Sequence, residues 1–287
     1  MAGILVTGAS GFIGKALAAS LAAGHNVICM SRKSPGLDLP WARGSFASLD
    51  DLRRLDRVDI DVAVHLGAVT GGCSERDGIL VNVEGTRTLM RYLMDHGCRK
   101  FVMASSIAAV GMQSTKFRPL QLPIPDEHPC LDRDGYGLSK YLMEEVTKYC
   151  HRQDERIDVI NLRLASICAD EKMPEPRKVC PLGPWAMGSI TVMALSDAVR
   201  CITLAAEAPH TPGVRIMNAA PPKAWAAEPV ADILKNWYGD EVNVSYFKRP
   251  RHKFDSVFDV RRIKSELSFV AERLPQPQPA ARRAKRL

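Results

Sequence analysis

The 287-residue chain contains no uninterrupted apolar run of about eighteen residues, the length a helix needs to cross a bilayer, so no membrane association is expected. Its eight cysteines (29, 73, 98, 130, 150, 168, 180 and 201) include no Cys-x-x-Cys pair, and their spacings suggest no metal site. They read as reduced, mostly buried thiols of a cytoplasmic protein. No basic n-region or cleavage site precedes the first apolar run, so no secretory leader is expected. Aromatic residues make up only 6% of the chain and nowhere interleave with basic ones in the manner that stacks single-stranded bases. Internal repeats are absent. Of a formal net charge of +7, four charges come from Arg282, Arg283, Lys285 and Arg286, just after the proline-rich stretch 274–279. Residues 275–287 therefore read as a disordered, solvated basic tail rather than a nucleic-acid or membrane patch.

What is present is the composition of a globular protein, 46% hydrophobic and 25% charged, long enough for one large α/β domain or one and a half. Ile4-Leu5-Val6 reads as a short buried strand. Gly8, Gly11 and Gly14 follow at three-residue spacing, and residues 15–23 form a helical run. A strand that turns through glycines into a helix points unpaired backbone N–H groups and a helix dipole at one place, which seats a pyrophosphate. Further strands are predicted at 26–30, 61–66, 100–105 and 157–163, with helices at 75–96 and 136–151. This alternation predicts an α/β fold, a Rossmann-like doubly wound parallel sheet. The segment 113–134 carries Pro119, Pro123, Pro125 and Pro129 and reads as a long loop, a lid or wall. Beyond Arg163 regularity weakens into a strand-then-helix at 191–206, a strand at 214–218 and a helix at 230–238. The expected division is a dinucleotide-binding domain at 1–165, with contributions from about 190–220, and a smaller irregular C-terminal substrate lobe at 166–274.

Ser105 and Ser106 end the fourth of these strands, at the edge where an open parallel sheet binds ligands. Tyr136 and Lys140 share one face of the helix that follows, because residues i and i+4 are neighbours there. A nearby ammonium favours phenolate and lowers the Tyr pKa, and a serine hydroxyl alongside can hold a carbinol or carbonyl oxygen. Together they suit proton transfer to or from an alcohol while a nicotinamide exchanges hydride.

Thr7-Gly-Ala-Ser-Gly-Phe-Ile-Gly14, His65-Leu-Gly-Ala68, Asn82-Val-Glu-Gly-Thr86, Ser105-Ser106 and Tyr136-Gly-Leu-Ser-Lys140 resemble, in order and spacing, the motifs of extended short-chain dehydrogenases/reductases, specifically the NAD-dependent epimerase/dehydratase family. The resemblance covers residues 3–200 and continues more weakly beyond. It implies that Gly8, Ser10, Gly11, Phe12, Ile13, Leu66, Gly67 and Ala68 hold the dinucleotide. It makes Tyr136 the catalytic base, has Lys140 hold the ribose and tune Tyr136, and has Ser106 orient the substrate oxygen. Family members dimerise through two helices corresponding to 75–96 and 136–151, so a homodimer is expected. Ser31 stands where an NAD-specific acid would lie, with Arg32 and Lys33 after it, so NADP is preferred over NAD.

Two departures stand out. Val110 replaces the tyrosine often found before the glycine matching Gly111, and Ser166 replaces an asparagine that supports nucleotide-sugar substrates. With the short 163–196 stretch, this argues against a diphosphate clamp. Thr70, Ser106 and Ser166 remain candidate contacts for a small-molecule substrate. His65 reads as a satisfied core or cofactor-proximal histidine, Asn82 as a backbone anchor, and Trp185 and Trp225 as core residues that can line the pocket. Asp126, Glu127 and His128 face either substrate or solvent. The leading expectation is an NAD(P)-dependent oxidoreductase of an alcohol or lactol on a sugar-like or small polar molecule. The alternatives are a nucleotide-sugar 4-epimerase or dehydratase with retained cofactor, and a non-catalytic NADP-binding regulatory protein.

Overall fold

The structure, a computed structural model, describes residues 1–275, so nearly all of the basic tail expected at 275–287 lies outside the described residues. Among the described residues nine strands form: β1 (Gly3–Thr7), β2 (Asn26–Ser31), β3 (Trp41–Arg43), β4 (Val62–His65), β5 (Lys100–Ser106), β6 (Asp158–Leu164), β7 (Ser166–Cys168), β8 (Val192–Ala194) and β9 (Gly213–Ala219). Seven of them build one sheet in the order β3-β2-β1-β4-β5-β6-β9, with every neighbouring pair parallel. β7 and β8 form a separate parallel pair.

Parallel strands need helices on both faces, and the sequence supplies apolar residues for both. Ile4, Val6, Val64, Val102 and Leu162 face one side, where they meet Leu17 and Leu21 of helix Phe12–Leu21 and Ile202 of helix Leu195–Glu207. Leu5, Ala63, Phe101 and Val159 face the other, against Leu89 and Leu93 of helix Gly85–Asp95 and Met143 of helix Gly135–Gln153. The first of these cores runs on into the C-terminal part, through Trp237, Phe247, Phe258 and Phe269.

The strand order reverses between β1 and β4, and the two loops leaving them open a crevice between them. In doubly wound sheets that crevice is where ligands bind. The expected loop at 113–134 forms, but it is docked to the body: Ile124 is buried and exchanges backbone hydrogen bonds with Val257 and Asp259. No helix among the described residues is long and apolar enough to cross a membrane.

Candidate active site

β1 leaves the sheet through Gly8, whose φ of +68° lies in the left-handed region that favours glycine. Helix Phe12–Leu21 follows, and a Cβ on Gly14 would sit 2.2 Å from the Gly8 carbonyl oxygen, so strand and helix touch only because no side chain intervenes. Gly11 caps this helix without a side-chain acceptor, which leaves the first-turn N–H groups directed at the crevice. Ser10, Gly11 and Phe12 are exposed there and Ile13 is half-buried. Across the crevice lies the loop after β4, where Gly67 donates to Thr7 Oγ1 at 3.3 Å and Leu66 and Ala68 are half-buried. Uncapped donors, a glycine floor and an apolar wall fit a dinucleotide pyrophosphate.

Beneath this seat His65 is buried, bonded through Nδ1 to Thr7 Oγ1 at 2.7 Å and through Nε2 to Thr86 at 3.0 Å. Burial, helped by the Lys140 ammonium, holds its pKa down at about 3. Both ring nitrogens are occupied by structural partners. Asn82 is an anchor too. Its amide receives Val69 N–H at 2.8 Å and donates to the Val69 carbonyl at 2.9 Å and Ser139 Oγ at 2.9 Å, tying the loop after β4 to helix Gly135–Gln153. It sits in a widened, π-helical stretch, Gly78–Glu84. Phe46 escaped the sequence reading. It lies edge-on to His65 at 4.6 Å and fills the space above Gly67 and Gly85, two glycines whose missing side chains were its only signal.

Ser106 and Tyr136 come together at the end of β5. The Ser106 hydroxyl accepts Ala108 N–H at 3.1 Å and, beside the phenol, favours its ionised form, yet burial outweighs this and holds the Tyr136 pKa above its ordinary value. That is opposite to the expected lowering by Lys140. The reason is geometric: Lys140 Nζ stands 5.9 Å from the Tyr136 ring centre and donates to the Ala104 carbonyl at 2.7 Å. Lys140 is itself buried, and desolvation brings its pKa down to about 8. Ser105 points the other way, donating to Glu144 Oε1 at 2.6 Å. Glu144 forms a fork-to-fork pair with Arg163, at 2.9 and 2.8 Å, and both side chains are almost fully buried.

The remaining candidates divide. Thr70 is exposed on the rim, where its carbonyl closes a turn with Cys73 N–H. Ser166 differs from the expectation of a substrate contact. Its hydroxyl donates to the Gly188 carbonyl at 3.0 Å and accepts from the Trp185 indole at 2.8 Å, so its proton is already spent. Trp185 lies half-buried over Gly188 with a left-handed φ of 60°, rare for a bulky side chain. Trp225 donates instead to the Pro174 carbonyl and is buried. Of the three residues 126–128, Glu127 is exposed, Asp126 is half-buried and His128 is buried, the last two held by structural bonds. Asp126 accepts from Asn218 N–H at 2.6 Å, its carbonyl accepts from Arg163 at 2.8 Å, and the His128 ring bonds Leu120 N–H and the Pro129 carbonyl.

At the far end of the crevice, Ser31 is buried with its hydroxyl on the Lys33 carbonyl at 2.7 Å, while Arg32 and Lys33 are exposed and form no ion pair among the described residues. Lys15 Nζ approaches the same loop at Gly36.

Known proteins share the fold. The chain is 31% identical over 186 residues to a UDP-glucose 4-epimerase of Drosophila melanogaster, covering 56% of this chain and 51% of that protein. The chain thus spans about half the length of such curated relatives. A short-chain dehydrogenase/reductase superfamily protein of Agrobacterium tumefaciens, solved with bound NAD, superposes with a TM-score of 0.70 at 23% identity over 95% of this chain and 93% of that one. A UDP-glucose 4-epimerase of Bifidobacterium longum, in complex with NAD+ and UDP, gives 0.70 at 20% identity over 95% and 94%. The sheet order and glycine turn agree with these likenesses, and residues 4–183 match the family model throughout the region that builds the crevice. The chain belongs to the NAD dependent epimerase/dehydratase family.

Proposed function

We propose that this protein is an NAD(P)-dependent oxidoreductase that interconverts an alcohol and a ketone, or a lactol and a lactone, on a sugar-like or small polar substrate. The observation that carries the reading is the meeting of Ser106 and Tyr136 at the strand ends beside the glycine turn. A nicotinamide dinucleotide bound in the crevice supplies the hydride acceptor or donor. Tyr136 takes the carbinol proton as the carbonyl forms, or returns it in the reverse direction. Ser106 holds the same substrate oxygen. Lys140 keeps one N–H on the Ala104 carbonyl and directs another at the Met143 sulfur at 4.0 Å, and the third serves the ribose hydroxyls.

The small substrate is supported by Ser166 and Trp185. The hydroxyl that stands where nucleotide-sugar enzymes are expected to carry asparagine is used to fix an indole and is not available to support a diphosphate. The second reading, a nucleotide-sugar 4-epimerase or dehydratase, is favoured by the named activity of the similar Drosophila protein. The two separate on one experiment. Reduction of added NAD(P)+ by a panel of aldoses and uronic acids supports the first; interconversion of UDP-glucose and UDP-galactose without added cofactor overturns it in favour of the second. Under either, Tyr136→Phe is expected to cost about a hundredfold or more in turnover. Dinucleotide binding with no turnover on any probe supports a regulatory binding protein instead.

NADP preference is part of the proposal, supported by the exposed Arg32 and Lys33 and the approach of Lys15 to the same loop. Arg32→Ala is expected to weaken NADPH binding about tenfold more than NADH binding. Equal losses overturn the preference. A homodimer through the helical stretches 75–96 and 136–151 is also proposed, supported by Leu80 in the π-helical stretch Gly78–Glu84 and Tyr149 on helix Gly135–Gln153, each about half exposed (51% and 49%). Its check is the molecular mass in solution.

A further inference from the structure

Helix Gly135–Gln153, which carries Tyr136 and Lys140, begins on two carboxyl groups rather than one. Asp134 caps it, with Oδ1 accepting from the N–H groups of Tyr136 at 2.8 Å and Gly137 at 3.1 Å, and from Gln113 Nε2 at 2.9 Å. Asp132 lies against the same first turn, so close that a Cβ on Gly137 would fall 1.6 Å from Asp132 Oδ2. The Oδ1 of Asp132 is satisfied by Arg133 N–H at 2.8 Å. What remains is Oδ2 on each residue. Both atoms are buried, neither has a donor, and the two side chains meet. No lysine or arginine side chain hydrogen-bonds either carboxyl group among the described residues.

Two ionised carboxylates in that position would be two acceptors without a donor, and two like charges away from water. A single proton removes both penalties, because it turns one Oδ2 into the donor for the other. We propose that Asp132 and Asp134 share one proton, and that this proton positions the first turn of the catalytic helix and with it the Tyr136 hydroxyl. The shared proton is argued from the two buried, unpartnered oxygens against the first turn; its consequence for Tyr136 rests on the oxidoreductase reading above.

The surroundings agree. Burial first, and the bond from Asp134 second, hold Asp132 well above the ordinary carboxylate range. The charged and titratable neighbours are Cys130 and Arg133 on the same stretch, Tyr136 on the helix, Glu75 against Gly135, and Cys73 with Asp77 on the facing turn. None of these side chains brings a cation into contact with the pair. The Asp134 charge already pushes the Tyr136 phenol upward. A second charge on Asp132 acts in the same direction, so loss of the shared proton disfavours the phenolate as pH rises.

Because the folded chain retains a proton that the unfolded chain has released, the stability contributed by the pair is greatest in acid. It declines as pH climbs from the ordinary carboxylate range to the raised one. Asparagine at 132 keeps the shape and donates through Nδ2 at every pH. The test is therefore thermal melting of the full chain, wild type and Asp132→Asn, from about pH 5 to about pH 9, with turnover measured over the same range. The two proteins are expected to melt together at the acid end, with wild type falling progressively below the variant towards alkaline pH. Wild-type turnover is expected to fall about tenfold relative to the variant at the upper end. Asp132→Ala, which lacks the donor, melts below both at the acid end. Parallel melting curves for wild type and Asp132→Asn overturn the shared proton, and diverging melts with identical rate profiles overturn its positioning role. Melting needs no substrate, so divergence in a protein inactive on every probe supports the proton and counts against the oxidoreductase reading alone.

Discussion

Ser105 and Ser106 are one position apart and have unrelated partners, because successive residues on a strand face opposite sides of the sheet. Ser106 reaches Tyr136, while Ser105 joins Glu144 and Arg163 in a buried ionic group. Arg163 also holds the Asp126 carbonyl, so the pair fastens the 113–134 loop to the sheet. Glu144→Ala leaves an arginine side chain buried without its counter-charge. It is expected to cost about 3–5 kcal/mol, read as a drop in the urea midpoint. Tyr136 and Lys140 were legible in the sequence because four-residue spacing on a helix is a geometric statement in itself. Glu144 was not, since its meaning depends on Arg163, nineteen positions away on β6. The tuning of Tyr136 was misjudged for a related reason. Spacing gives the proximity of Lys140 to Tyr136, but not that the ammonium is tethered to Ala104 or that desolvation outweighs charge.

At the scale of elements, the turn between β1 and helix Phe12–Leu21 was the clearest feature of the sequence, and its geometry explains why. Gly14→Ala would place a methyl group 2.2 Å from the Gly8 carbonyl oxygen, so the helix must move off the strand. The expected result is a loss of about 1–3 kcal/mol in stability and at least about tenfold weaker NADPH binding, checked by melting and by titration of cofactor fluorescence. The five longer strands of the Rossmann half were readable as apolar runs between turn signals. β3 and β7, three residues each, carry too little periodicity to be seen. The proline-rich segment 113–134 was readable as irregular, but not as docked, because its hydrogen bonds run to Asn218, Val257 and Asp259 far along the chain.

Across the whole molecule, the sheet divides two cores, and His65 sits at the inner end of the crevice between Thr7 and Thr86, coupling β1, β4 and the helix beyond. Its pKa of about 3 in the folded chain lies far below the ordinary value of 6.5. The unfolded chain therefore gains a proton that the folded one refuses, and stability is full above about pH 6.5 and lost as pH falls towards 3. Denaturant unfolding should show a wild-type loss of about 2 kcal/mol between about pH 6.5 and about pH 5, and His65→Gln should flatten that limb. Equal slopes for the two proteins would show that other groups drive the acid response. One consequence concerns light rather than stability. The Trp41 indole donates to the Ser31 carbonyl beside the loop of Arg32, and the Trp185 indole is fixed on Ser166, just beyond the end of β6. In the proposed enzyme, of the four tryptophans, the signal lost in Trp41→Phe would report the adenosine half of the cofactor and that lost in Trp185→Phe the substrate beside Ser166. Trp41→Phe and Trp185→Phe would then give the order in which the two ligands arrive.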